Sequence, residues 1–247
     1  MDKTVCITGG SRGIGRDLAL AFADAGFRVF VGARTESGVN SLSSSIRFVP
    51  MDVRREEGHA SLIGEAINAT GRLDCYINNA GVSAWRPIQH IDETFLEDML
   101  SVNLKGAFWG CKHASAKLTG GGSIINISSL AAKRGTANNA AYCAAKFGMT
   151  GLTQAMAKEL GPQGIRVNAI CPVLVRTEGL IDALRDPKSP AKGDPESFLE
   201  NFASSQSALG RLPTGAEVAG MALYLASDAA SAVTGQSINV DCGVLPQ

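Results

Sequence analysis

Tyr142 and Lys146 stand four residues apart in Tyr-Cys-Ala-Ala-Lys, and Ser129 lies thirteen residues before the tyrosine. On a helix, positions i and i+4 project from one face a turn apart, so the phenol and the ammonium are expected to meet. A lysine cation there stabilises the phenolate and draws the tyrosine pKa down from about 10, giving a proton donor and acceptor that works near neutral pH. A serine hydroxyl beside them suits an oxygen on which charge develops. None of the three histidines, His59, His90 and His113, fits this scheme, and each is expected at the surface or in packing.

A second chemical feature opens the chain. Thr4-Val-Cys-Ile-Thr8 reads as a buried strand, and Gly9-Gly10-Ser11-Arg12-Gly13-Ile14-Gly15 follows it directly, running into a helical pattern from Asp17. A glycine-rich turn between a strand and a helix N-terminus is an anion site. Backbone N–H groups and the positive end of the helix dipole point at a phosphate, and side chains would block it. The spacing Gly-x-x-x-Gly-x-Gly differs from the commoner Gly-x-Gly-x-x-Gly fingerprint but does the same physical job.

Alternating strand and helix patterns surround these features. Strands are expected at 4–8, 28–32, 46–49, 73–77, 123–127, 165–170 and 237–240, and helices at about 14–24, 55–69, 92–117, 140–160 and 215–226. Seven strands with helical crossovers imply a single α/β domain spanning 1–247, a Rossmann-like doubly wound parallel sheet with helices on both faces. The serine-rich stretch Thr35–Ser45 leaves room for a turn or two of helix at most. The proline-containing stretch 178–198 reads as irregular, and a substrate lid is expected at about 178–205.

Composition bounds the function. Hydrophobic residues make up 45 % and formal net charge is zero, so nothing electrostatic points to nucleic acid or an anionic membrane. Nothing approaches the roughly twenty apolar residues of a membrane span, and the first strand starts too early for a signal peptide. Cys6, Cys75, Cys111, Cys143, Cys171 and Cys242 are dispersed, with no Cys-x-x-Cys pair and no histidine at ligand spacing. Free thiols in a reducing compartment, with no metal site, are therefore expected, and the cytoplasm is the expected location.

From about Lys3 to Gly243 the chain resembles the short-chain dehydrogenase/reductase family. The resemblance rests on Thr8-Gly9-x-x-x-Gly13-x-Gly15, Asp52-Val53, Asn78-Asn79-Ala80-Gly81, Asn103, Ser129, Tyr142-x-x-x-Lys146 and Pro172 with Thr177, in the family's order. It implies an oxidoreductase that interconverts a carbonyl and a secondary alcohol by hydride transfer to or from a nicotinamide dinucleotide. Tyr142 is then the general acid/base, Lys146 lowers its pKa and holds the nicotinamide ribose, Ser129 holds the substrate oxygen, and Asn103 holds water in a proton relay. Ser128 lacks the family's offset to Tyr142. The resemblance also implies cofactor roles for Gly9, Ser11, Arg12, Gly13, Ile14 and Gly15. Asp52 would receive the adenine amino group, with Val53 against the ring, although Asp52 also reads as a helix cap. Asn79, Ala80 and Gly81 would border the cofactor and brace the sheet, and Pro172, Val175 and Thr177 would border the nicotinamide.

NADP(H) is the expected cofactor. Ala33 stands where NAD-dependent relatives carry an acidic residue, and Arg34 and Arg12 suit a 2′-phosphate. Glu36 is a ribose partner that keeps NAD(H) as the alternative. Val173 departs from the family's glycine, and a β-branched residue resists positive φ. The substrate wall is expected from Ser83, Trp85 and Arg86, from Lys133, Arg134, Asn138 and Asn139, and from Val173 onward. Those polar and basic stretches favour a small, hydroxylated or anionic carbonyl compound, with a 3-oxoacyl thioester as the alternative. The likeness extends to 3-oxoacyl-carrier-protein reductases and to sugar and polyol dehydrogenases. A non-catalytic nucleotide-sensing module of the same fold would have little use for the full Ser129, Tyr142, Lys146 and Asn103 set. A homotetramer is implied, with the 92–117 and 140–160 helices pairing through outward Ala114, Ala116, Ala155 and Ala157.

Overall fold

The computed structural model describes residues 2–246. Seven strands, β1 (Thr4–Thr8), β2 (Arg28–Ala33), β3 (Ile46–Pro50), β4 (Cys75–Asn78), β5 (Gly122–Ile127), β6 (Ile165–Pro172) and β7 (Ser237–Val240), form one parallel sheet in the order β3-β2-β1-β4-β5-β6-β7. Strand β1 is buried at every residue, as a central parallel strand covered on both faces must be. Its side chains alternate between two cores. Val5 and Ile7 join Leu18, Phe22, Val218 and Ala222 of α1 (Gly13–Asp24) and α8 (Gly215–Ala226). Cys6 faces the other way, into Leu62, Ile63, Cys111, Ala114, Ala157 and Leu160 of α2 (Glu56–Thr70), α4 (Gly106–Ser115) and α5 (Ala140–Leu160). This period of two is the pleat itself. Phe22 is fully buried, so its truncation to alanine would cost about 3–5 kcal/mol.

Order reverses between β1 and β4, since the chain leaves β1 for β2 on one side and returns at β4 on the other. In open α/β sheets this opens a crevice at the carboxyl ends of the strands. The turn after β1 and the segment 79–81 after β4 both lie there.

Two expectations need correction. The segment 92–117 is not one helix: α3 (Glu93–Leu100) passes through a π-turn at Ser101–Lys105 into α4. The 178–198 stretch is only partly irregular, because α6 (Glu178–Leu184) and α7 (Pro195–Gln206) flank a link of turns at 185–194. Its prolines mark boundaries. Pro195 sits in the first turn of α7, where a missing N–H costs nothing, and the Asp194 carboxylate accepts from Ser197 N at 3.2 Å. Thr177 caps α6 by accepting from Leu180 N at 3.2 Å. The serine-rich stretch holds only a 3₁₀ turn, Val39–Ser41. All six cysteines are free thiols.

Candidate active site

A cleft of about 1210 Å³ runs along the carboxyl edge of the sheet, from Arg34 and Asp52 at one end to Phe198 and Phe202 at the other. Such a volume exceeds the usual range of about 300–1,000 Å³ for small-molecule sites and suits a dinucleotide together with a second ligand.

The glycine turn fits a pyrophosphate. Gly9 has φ +66°, and a Cβ there would stand 2.8 Å from the Ala80 Cα. Gly13 has φ +54°, and a Cβ on Gly15 would overlap the Gly9 carbonyl. Any side chain at these positions either strains the backbone or fills the space. Asn79 holds the turn in place: its Nδ2 donates to Thr8 O at 2.9 Å and Gly9 O at 3.1 Å. The Thr8 hydroxyl in turn accepts from the backbone of Asn79 at 3.0 Å and Ala80 at 3.1 Å. Asn79 therefore braces the cradle through its side chain while Ala80 and Gly81 line the cleft. Ser11, Ile14, Pro172, Val175 and Thr177 line it as well.

Arg12 and Arg34 are exposed at the same end, and neither guanidinium has a hydrogen bond or salt bridge among the described residues. Glu36 is exposed between Thr35 and Ser37, which both line the cleft. Asp52 lines it, but its carboxylate is gripped by Arg54 through contacts of 2.6–3.0 Å. That hydrogen-bonded guanidinium, aided by Arg34, holds the Asp52 carboxyl below its usual range. Asp52 is not an N-cap, since α2 begins after Arg55. Arg54 is a third guanidinium at this rim that sequence reasoning missed.

Sequence reasoning also missed a support beneath Val53. His59 is fully buried, with Nδ1 2.8 Å from the Tyr76 hydroxyl and Nε2 2.9 Å from the Val53 carbonyl. The expected packing role holds, and the ring also anchors the segment that lines the far end of the cleft.

At the centre, Ser129, Tyr142 and Lys146 come together. Lys146 is 3 % exposed; its Nζ donates to Ile127 O at 2.9 Å and lies 5.7 Å from the Tyr142 ring centroid. The Ser129 hydroxyl lies against Tyr142, whereas the Ser128 hydroxyl turns back to the Lys146 carbonyl at 3.4 Å. Burial pushes the Tyr142 hydroxyl up to about 12, with the Ser129 hydrogen bond opposing it, and burial draws the Lys146 ammonium down to about 8. Tyr142 is thus a protonated acid at neutral pH, next to a lysine that titrates close to it.

Asn103 lies beside the triad and holds a loop of the site. It is fully buried in the π-turn and does not line the cleft. Its Oδ1 accepts from Val82 N at 3.1 Å, and its Nδ2 donates to Val82 O and Met99 O, both at 3.0 Å. The side-chain amide holds the loop after Gly81. It remains near the triad, since a Cβ on Gly81 would lie 3.0 Å from Asn103 Oδ1 and 3.7 Å from Lys146 Nζ.

The substrate wall also differs from expectation. Ser83, Arg134, Asn139 and Val173 line the cleft, but Arg86, Lys133 and Asn138 do not. The Arg86 guanidinium lies 4.1 Å over the Phe95 ring and pairs with Asp92 at 3.6 Å. Lys133 Nζ donates to Ser237 O at 2.6 Å. Val173 avoids positive φ and is buried; Leu174 takes φ +22° instead.

Fold, cradle and triad together define an α/β oxidoreductase with a nucleotide cleft. A family model described as enoyl-(acyl carrier protein) reductase matches residues 9–245. The L-2,3-butanediol dehydrogenase of Corynebacterium glutamicum is 37 % identical, over 99 % of each chain. A 3-oxoacyl-[acyl-carrier-protein] reductase of Staphylococcus aureus is 32 % identical, over 99 % of this chain and 98 % of its own. The crystal structure of a variant actinorhodin polyketide ketoreductase with NADPH superposes with a TM-score of 0.90 at 30 % identity, covering 98 % of this chain and 97 % of that one. The chain belongs to the short-chain dehydrogenase/reductase family of oxidoreductases.

Proposed function

We propose that the protein interconverts a carbonyl and a secondary alcohol with NADP(H), using Tyr142 as general acid and base. The observation that carries this reading is the buried Lys146 beneath Tyr142 and Ser129, in the same cleft as the glycine cradle. A bound nicotinamide dinucleotide supplies the hydride, or accepts it in the reverse direction. Ser129 donates a hydrogen bond to the substrate oxygen and sets its position. Tyr142, protonated at rest, gives its proton to that oxygen as charge develops and recovers it in reverse. Lys146 lies near enough to stabilise the phenolate once the proton has gone, and its pKa of about 8 suits it to pass a proton onward. Asn103 and Asn79 hold the two loops that frame these groups. The alcohol and 3-oxoacyl chemistries in the names of the relatives are both carbonyl–alcohol interconversions, which supports the reaction class.

The NADP(H) preference rests on Arg12 and Arg34 flanking the end of β2, where Ala33 leaves no carboxylate to repel a phosphate. In Arg34→Ala, NADPH should bind at least about tenfold more weakly while NADH binding stays within about twofold, reflecting a charge-assisted contact of 1.5–3 kcal/mol made only to the phosphate. Titrations of both nucleotides by fluorescence test this, and an equal loss for the two would overturn the phosphate assignment.

A further inference from the structure

We propose that the substrate presents its carbonyl on an apolar body, an alkyl or aryl group without hydroxyls, held against the apolar wall formed by Trp85, Leu174, Leu180 and the Phe198–Phe202 face of α7. This inference rests on the carbonyl–alcohol reading above and specifies its substrate class.

Beyond Ser129 and Tyr142 the cleft is walled by Trp85, Leu174, Leu180, Pro190, Phe198 and Phe202. Phe198 and Phe202 sit one turn apart on α7 with ring centroids 6.0 Å apart. Leu174, Leu180, Phe198 and Phe202 are all half-buried, so each keeps apolar surface open to the cleft. Trp85 is 6 % exposed and belongs to one apolar cluster with Leu184, Ala191 and Leu199, against which Phe198 and Leu180 also pack, so the rings of this wall are held in place by a small core. Leu174 joins this cluster to a second one around Leu130, Val173 and Val244, and its φ of +22° is the backbone conformation in which it does so.

Two of the three cations expected to favour an anionic or sugar-like ligand are turned away or committed elsewhere. Lys133 is drawn to Ser237 O, and Arg86 is stacked on Phe95 and paired with Asp92. Arg134, Ser83, Thr136, Asn139 and Glu178 are among the polar side chains that line the cleft beside this wall. A hydroxylated body would lose water along the aromatic side without regaining its hydrogen bonds there. An apolar body loses nothing polar and covers the rings.

The test is a kinetic series with NADPH and the intact protein. Vicinal diketones from 2,3-butanedione to 2,3-heptanedione are compared with 1-phenyl-1,2-propanedione and with the hydroxylated ketones dihydroxyacetone and erythrulose. The expected result is a kcat/KM that rises about three- to fivefold per added methylene until the cleft is filled. The hydroxylated ketones should fall at least about tenfold below diketones of equal length. Phe198→Ala and Phe202→Ala should flatten the slope, and Phe202→Leu should keep most of it, with the Kd for NADPH within about twofold of wild type in all three. That Kd shows that each variant is folded. A flat or falling slope, or preference for the hydroxylated ketones, would overturn the apolar-body proposal while leaving the redox reading intact. Absence of turnover with every carbonyl, despite NADPH binding, would instead overturn the redox reading and this inference with it.

Discussion

Lys146 carries its charge at neutral pH against its surroundings. Burial lowers its pKa to about 8 from 10.5, so the folded state releases this proton before the unfolded chain does. Below pH 8 both states are charged and the folded state bears the whole penalty, on the order of 3 kcal/mol for a shift of that size. As pH rises from 8 towards 10.5 the folded state sheds the proton first and the penalty fades. Lys146→Met should therefore melt higher than wild type at pH 7 and lose turnover, and the gap in melting temperature should narrow through this window. Melting curves at three pH values check this. A methionine variant less stable than wild type at every pH would show that the Ile127 contact outweighs burial. Tyr142 and Lys146 were legible because a four-residue offset on one helix brings them together, and Ser129 because its offset to Tyr142 resembles the family's. The balance of their pKa values was not, because it depends on how completely the surrounding chain excludes water.

Among the elements, α2 and the loop before it show how a packing residue can serve a site. The buried His59 ring spans from Tyr76 to the Val53 carbonyl, and burial, opposed by the Val53 hydrogen bond, lowers its pKa below 6.5. The ring is neutral in the fold. The unfolded chain takes up the proton first, so the stability this group contributes is present above about pH 6.5 and is lost as pH falls below it. His59→Phe should make the fall in stability below about pH 6.5 shallower and weaken NADPH binding about three- to tenfold through a loosened Val53. An acid profile and NADPH Kd identical to wild type would contradict the clamp. The strands were readable from β-branched runs such as Thr4–Thr8. The π-turn was not, because Ser101-Val-Asn-Leu-Lys105 carries no breaker; Asn103 holds that bend through bonds to Val82 and Met99, twenty-one and four residues away. The helices α6 and α7 were hidden because prolines at their ends read as disruption.

For the whole molecule, the exposed faces of α4 and α5 bear on assembly. Ala114 and Ala157, expected to face outward, are buried in the core, whereas Ala116 and Ala155 are exposed. Phe108 at 49 % and Phe147 at 46 % exposure lie on the same two helices and are large apolar groups on the surface. We propose that these helices pair across two-fold axes in a homotetramer. Light scattering of the wild type should then give four chains, and Phe108→Glu with Phe147→Glu should give smaller species of unchanged fold. A monomeric wild type would contradict this. The substrate end was the least legible part of the molecule. Arg86 and Lys133 look like ligand-facing cations in the sequence, and only the folded chain shows that Phe95, Asp92 and Ser237 take them. No helix among the described residues is long and apolar enough to cross a membrane. The central claim, that the Tyr142 hydroxyl moves the proton in carbonyl reduction, is tested most directly by NADPH oxidation in wild type and Tyr142→Phe, with the NADPH Kd measured on the same samples. The account predicts a fall in kcat of at least about 10²-fold with nucleotide binding retained; equal turnover in the two proteins would contradict it.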